Sequence, residues 1–481
     1  MSRTLKLLRA FYSLLRHRVD NRPDLAKILG NMGWLFMDNV LRMGVGLLVG
    51  VWLARYLGPE QFGQLSYAIA FVGLFGALAG LGLNGVVVRN VVRDPDATNA
   101  TLGTAFALQV LVTPFVVGLV VAAIWWMRPD DPLTRTMVII LSLTLVFMTT
   151  EVVKAWFESQ VQARYTVWVE NGIFVLMAAI KVAMILRHAS LLAFVWLTLV
   201  ESALVAVGLV VVYSMQGGQV RAWQLRSARA KALLRDSWPL MLAGLAVMIY
   251  TRIDQIMLGE MLGAPEVGNY TVAVKISELW YFLPVIIGNS IFPSTVEAKL
   301  RSEKLYYQRL QSAFNLMVLV SVAIALPVAL MSGWIVNLLY GDDYKAAGAI
   351  LAINVWAGVF VSLGIASSYW LLSENLQILN FYRTIVGAFV NIILNYLLIP
   401  KYGTQGAAFA TLVSYAYVAL FSDLFSSKTR AVFRMKLRAL LLFDCVKSIR
   451  HSISRVERVN IETGRIEEDT MQGTIEKDKR P

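Results

Sequence analysis

Residues 54–70, ARYLGPEQFGQLSYAIA, are echoed 205 positions later by residues 259–275, GEMLGAPEVGNYTVAVK. Leu57, Gly58, Gly63 and Ala68 recur as Leu262, Gly263, Gly268 and Ala273, while Ser66 and Ile69 are answered by Thr271 and Val274. Four identities are few in so apolar a chain. Their weight comes from position, because each copy is the turn between the first and second apolar segments of its half. The sequence therefore reads as a duplicated bundle, two halves built alike.

Composition places those halves in a membrane. The 481 residues are 57% hydrophobic and 16% charged, with a mean hydropathy of +0.62, more apolar surface than a water-soluble core of this size can bury. A soluble protein of net charge +13 would suggest nucleic acid. Here Lys and Arg lie between apolar runs and at both ends, the pattern that orients membrane helices, and no nucleic-acid partner is expected. The single Cys445 excludes a disulfide within the chain, and with three histidines, His17, His188 and His451, no metal site or other cofactor is expected. No apolar core or small-residue cleavage site marks a signal peptide in the first thirty residues.

At about 20 residues per crossing, twelve apolar segments follow: 33–56, 62–86, 102–127, 136–157, 165–187, 190–213, 237–259, 267–292, 313–339, 347–372, 376–399 and 405–427. The fold class expected is all-α, a polytopic membrane protein of two six-helix bundles related by a pseudo-two-fold axis. The domains read as a basic amphipathic N-terminus (1–32), an N-terminal bundle (33–213), a basic linker (214–236), a C-terminal bundle (237–427) and a basic, polar tail (428–481). Positive charge falls on alternate connections. The N-terminus carries seven Lys and Arg, the linker five (Arg221, Arg226, Arg229, Lys231, Arg235) and the 293–312 loop four (Lys299, Arg301, Lys304, Arg309). The turns at Gly58–Gln61, Gly259–Glu266, Gly341–Tyr344 and Pro400–Gln405 are short and nearly free of cations. Both termini are therefore expected in the cytoplasm. The 373–380 loop is the exception, with Glu374 and no cation before Arg383.

Ionisable residues inside a bilayer cost about 2.5–3.5 kcal/mol each on insertion scales and should face protein or water. The first segment holds Asp38 and Arg42, four apart and able to pair. The seventh holds Arg252 and Asp254, which point in different directions, and the eighth Lys275 and Glu278 on one face. Arg42, Arg252 and Lys275 are expected to line a cavity. Glu151 and Glu201 also lie within segments. Lys154, Lys181 and Arg383 lie near predicted boundaries, where a long side chain reaches the headgroups. Asn391 and Asn395, four apart in the eleventh segment, can bond sugar hydroxyls or partners on neighbouring helices.

The first segment with Arg42, LARYLGPEQFGQLSYA, RIDQIMLGEMLGAPEVGNYTVAVKI and PKYGTQGAAFATLVSYA (400–416) together resemble the bacterial polysaccharide-unit flippases of the multidrug/oligosaccharidyl-lipid/polysaccharide exporter superfamily, over about residues 25 to 430. The resemblance implies a transporter, not an enzyme. Its substrate would be an undecaprenyl-diphosphate-linked oligosaccharide carried by alternating access across the bacterial inner membrane for O-antigen, capsule or exopolysaccharide assembly. Its other partners would be the bilayer and polysaccharide polymerase machinery. Arg42, Arg252 and Lys275 would bind the diphosphate, with Asp38, Asp254 and Glu278 tuning them or coupling to an ion, and Asn391 and Asn395 as sugar contacts.

Two rivals stand beside it. A multidrug or other lipid-carrier exporter of the same superfamily would want acids such as Asp38 and Asp254, yet the intramembrane cations argue against it; a lipid II flippase would carry two further spans. A membrane polymerase or ligase needs catalytic groups on a sizeable loop, and the longest expected on that face, RPDDPLTR (128–135), reads as a solvated turn. No Walker-type loop is present, so ATP is not the direct drive.

Overall fold

The computed structural model describes residues 23–441. The expected N-terminal amphipathic helix, the polar end of the tail, and Cys445, His17 and His451 fall outside those residues. Within them the secondary structure is helical, with no strand.

Ten helical stretches are long and apolar enough to cross a membrane. Two of them, Met37–Arg93 and Ile378–Phe425, run to 57 and 48 residues, far beyond the roughly 20 that span a bilayer. Each is broken near its middle by a glycine off the helical backbone, Gly58 (φ 68°, ψ 173°) and Gly403 (φ 59°, ψ −140°), and the first is interrupted again at Leu81 and Gly82 (φ 54° and 62°). Counting each as two gives twelve crossings among the described residues. Several helices outrun their apolar segments: the seventh begins at Ser227 and the ninth at Glu303. Hydropathy detects only the part immersed in hydrocarbon, whereas the backbone ladder continues through polar sequence.

The four short turns share one device. Gly58 and Gly263 (φ 98°, ψ 176°) match in the repeat, Gly341 (φ 85°, ψ −174°) follows the same pattern, and Gly403 completes the set. Such backbone is open in practice only to glycine, which lets one helix stop and the next start within a residue or two.

Contacts group the chain into two compact units. Among the described residues the first comprises 23–279, 331–354 and 384–414; a buried core of Leu83, Val87, Leu102, Val153, Phe157 and Tyr213 lies within it. In it the two copies of the repeat pack together. A methyl on Gly63 would lie 1.8 Å from the Ala264 oxygen, and one on Gly268 would lie 2.2 Å from the Pro59 oxygen. The turn at Gly341 joins them, Tyr344 Oη donating to Ala54 O at 2.8 Å and its ring meeting Phe62 edge-on.

Among the described residues the second unit comprises 280–330, 355–383 and 415–441, with a core of Tyr306, Phe314, Met317, Leu363, Trp370 and Val432. Here the exceptional loop finds its explanation, because Lys299 Nζ pairs with Glu374 at 2.9 Å. The amphipathic helix Arg430–Leu440 is pinned by Lys436, 0% exposed, whose three donors reach Asp423 Oδ2 at 2.5 Å, Ala419 O at 2.6 Å and Ser367 Oγ at 2.7 Å. Arg383 is buried beside it, donating to Ser367 Oγ at 3.1 Å and Asn380 Oδ1 at 2.8 Å. It does not reach toward headgroups as its sequence position suggests; Asn380 on its own helix and Ser367 on the preceding one supply acceptors.

Large apolar side chains stand outward, Phe115 at 80% and Trp126 at 85% exposed. In hydrocarbon such exposure carries no penalty, and the tryptophan at the end of the third span suits the interface.

Candidate functional site

Two groups of charge stand within the spans of the first unit. In one, Arg42 donates from Nε to Asp38 at 2.6 Å and from Nη2 to Glu170 at 2.9 Å, and the other Glu170 oxygen accepts from Lys154 at 2.9 Å. Asp38 and Arg42 pair as their four-residue spacing dictates. Glu170, the carboxylate that joins the first, fourth and fifth spans, escapes the sequence reading. As the one acid of its apolar segment it carried the signal that any intramembrane charge carries. Lys154 faces this acid and not a headgroup.

The second group is Arg252, Lys275, Glu278, Lys181 and Glu201. Arg252 Nη2 lies 3.6 Å from Glu278, and Lys181 pairs with Glu201 at 2.8 Å. Lys275 is exposed, its ammonium 4.8 Å from the centre of the Phe62 ring, and near enough to Arg252 and Lys181 for the three cations to repel. Three cations stand here with two carboxylates, and Asp254 interacts with Arg252 from its buried site. In the first group Glu151 and Glu158 also stand near Lys154. Arg42, Lys154 and Arg252 side chains are each 37% exposed, open enough to exchange a protein partner for a ligand.

Other expected residues lie elsewhere. Asp254, two positions from Arg252, is buried, accepting from Tyr270 Oη, from Thr411 Oγ1 at 3.2 Å and from the Gln255 N–H at 2.8 Å. In this conformation it is a packing element closed to ligand. Asn391 and Asn395 are both 0% exposed, Asn395 Nδ2 donating to Asn391 Oδ1 at 3.0 Å within their own helix, so in this conformation they are closed to a sugar.

A third cluster sits at the turns. Glu260 Oε1 accepts from Tyr67 Oη at 2.5 Å and Arg128 Nε at 2.9 Å, with the guanidinium over the Tyr67 ring at 4.3 Å. Asp131 caps the helix Pro132–Ser142 through the Thr134 N–H at 3.0 Å, as a structural turn residue would. Burial works against its charge, but the bonds from Thr134 and Arg128 prevail and hold its carboxyl below the usual range. Among the described residues no His, Cys, Asp and Glu cluster could hold a metal ion.

Comparison with known proteins follows the same lines. The family model described as polysaccharide biosynthesis protein matches residues 28–299, and the MatE model matches residues 239–397. A Haloferax volcanii protein named "Probable low-salt glycan biosynthesis flippase" is 22% identical over 79% of this chain and 80% of its own. The capsular polysaccharide biosynthesis protein CapF of Staphylococcus aureus is 21% identical over 82% of this chain and 97% of its own. Among solved structures, an inward-facing multidrug resistance MATE transporter superposes with TM-score 0.67 at 15% identity, covering 84% of this chain and 96% of its own. The lipid II flippase MurJ, inward closed, does so with TM-score 0.67 at 14% identity, over 88% of this chain and 93% of its own. At such identity the structures establish the fold: two helical lobes.

Proposed function

The chain belongs to the polysaccharide biosynthesis protein family, and from that premise we propose that it is a flippase that carries an undecaprenyl-diphosphate-linked oligosaccharide across the inner membrane, with both termini in the cytoplasm. The relatives are flippases and glycan or capsule proteins and the solved neighbours are transporters. The protein is a multi-pass membrane transporter of lipid-linked glycan, not an enzyme.

The observation that carries the finer reading is the cluster of Arg252, Lys275 and Lys181 inside the spans, Arg252 and Lys181 paired with Glu278 and Glu201 and Lys275 lying against the Phe62 ring. A diphosphate cannot enter hydrocarbon with its charge uncompensated, and cations held there by partial pairing supply the compensation. Arg42, tied to Asp38 and Glu170, is a reserve cation freed when those acids change partner or bind an ion. The two six-span halves, 33–213 and 237–427, would give alternating access around this charge, and polysaccharide polymerase machinery would receive the product. Export of organic cations is the second reading, favoured by the MatE match; it would draw on Asp38 and Glu170.

Deleting the gene in its host and locating the lipid-linked unit between leaflets tests the proposal. Expected are accumulation on the cytoplasmic leaflet, loss of surface polymer, and no rescue by Arg252→Ala or Lys275→Ala. A unit that reaches the outer leaflet but stays unpolymerised would move the protein to the polymerase or ligase class.

A further inference from the structure

A cavity of about 680 Å³ lies within the first unit, walled by the second, third, fourth, sixth and seventh spans. Its size is that of a small-molecule site, roughly 300–1,000 Å³. One wall is bare backbone: Gly73, Gly76 and Gly80 follow one face of the second span, and a methyl added at Gly73 or Gly80 would meet no atom within 4 Å. Methionines 148, 241 and 248 line it as well.

Small residues alone say nothing about a ligand, but the polar lining does. Gln109, 3% exposed, donates from Nε2 to Gly80 O at 3.1 Å, and its Oε1 has no hydrogen-bond partner. Glu151 is exposed on the same lining, one turn before Lys154, which is held by Glu170. Thr144 and Thr198 commit their hydroxyl hydrogens to Leu141 O and Phe194 O, leaving only acceptor capacity. No Lys, Arg or His lines the cavity. Asn84 also lines it, its amide bonded to the Glu158 carboxylate. The other polar groups offer acceptors, which suits a ligand rich in O–H and N–H groups and repels a phosphate.

We propose that this cavity seats the sugar nearest the diphosphate: a neutral hydroxylated or N-acetylated ring whose donors reach Gln109 Oε1 and Glu151, and whose C–H faces rest on glycine backbone and methionine. The proposal rests on the flippase reading above. Met248 on the cavity wall stands four residues before Arg252, on one face of the seventh span. A sugar in the cavity therefore places its phosphates beside the Arg252, Lys275 and Lys181 group. The two halves of the headgroup are sorted by charge, donors to the acceptor-lined cavity and anions to the cations.

The test is binding of undecaprenyl diphosphate, with and without one N-acetylhexosamine, to the full chain in nanodiscs. Wild type should prefer the sugar-bearing lipid by about tenfold or more, the worth of one or two such bonds. Gln109→Leu and Glu151→Gln should each remove most of that preference and leave the bare lipid unchanged. Gly73→Leu, whose Cβ would meet no atom within 4 Å and whose side chain would project from the cavity wall, should do the same. Equal binding of both lipids to wild type, still sensitive to Arg252→Ala, overturns the sugar seat and spares the flippase reading. Failure of both lipids to bind sinks that reading. Tetraphenylphosphonium bound in place of the sugar lipid, and lost in Glu151→Gln, overturns the proposal in favour of a cation pocket.

Discussion

Gly63 and Gly268 occupy the same position in the two copies of the repeat, and each packs against the backbone that starts the other copy's helix, Gly63 on Ala264 and Gly268 on Pro59. Because 264 and 59 are themselves equivalent positions, the contact is reciprocal, as across a two-fold axis. The identity of these glycines is therefore a consequence of symmetry: any side chain at either would strike a carbonyl.

Gly63→Ala and Gly268→Ala should each force the turns apart at a cost of about 1–3 kcal/mol, the usual range for overpacking. Gly263→Ala should cost a similar amount through its backbone (φ 98°). Thermal unfolding in detergent checks all three. Wild-type melting of Gly63→Ala would mean the turns are not held together.

Glu170→Gln should cost about 1–3 kcal/mol, since Glu170 is only 15% exposed and both Arg42 and Lys154 lose a carboxylate, yet reduce glycan-lipid transport per folded molecule far more strongly. Arg42→Ala and Lys154→Ala should fall with it, the three acting as one unit. Arg235→Ala, 81% exposed and only 3.8 Å from Asp236, is the control expected to transport normally. A complementation assay with surface-expression matching reads the difference.

Lys436→Met should destabilise the protein by about 3–5 kcal/mol, because it strands the buried Asp423. Lys436→Met with Asp423→Leu should recover much of that loss. Burial, opposed by Asp423 and aided by Arg383, pushes the Lys436 ammonium down to about 8 from 10.5. Between those values the unfolded chain binds more protons than the folded one, so this group makes stability rise with pH across the window. Comparing melting of wild type and the double variant from pH 7.5 to 10 isolates the slope; parallel curves would contradict it.

Tyr270→Phe should cost about 1–3 kcal/mol by removing one donor from buried Asp254. Transport per folded molecule should persist. A transport defect at full stability would show that Asp254 takes part in the cycle.

Much of the fold was legible locally. A run of about 20 apolar residues must cross the membrane as a helix, since no other backbone satisfies its hydrogen bonds there. The glycines at 58, 263, 341 and 403 mark the turns because few other residues adopt their backbone. The site was legible in part: Asp38 and Arg42 pair because helical geometry alone brings positions i and i+4 together.

What the sequence determined by itself, then, is whatever depends on one residue's solvent preference or on neighbours within a helical turn: the spans, their turns, and which charges must avoid lipid. Only the tertiary structure decided who meets whom. Glu170 reaches Arg42 from 128 positions away, and Arg252 stands half open while Asp254, two residues on, is sealed by Tyr270 and Thr411. Neither outcome follows from hydropathy or spacing. A buried charge must find a partner, but which one it finds is set by how the helices rotate and cross, and those angles are fixed by packing along the whole of each interface.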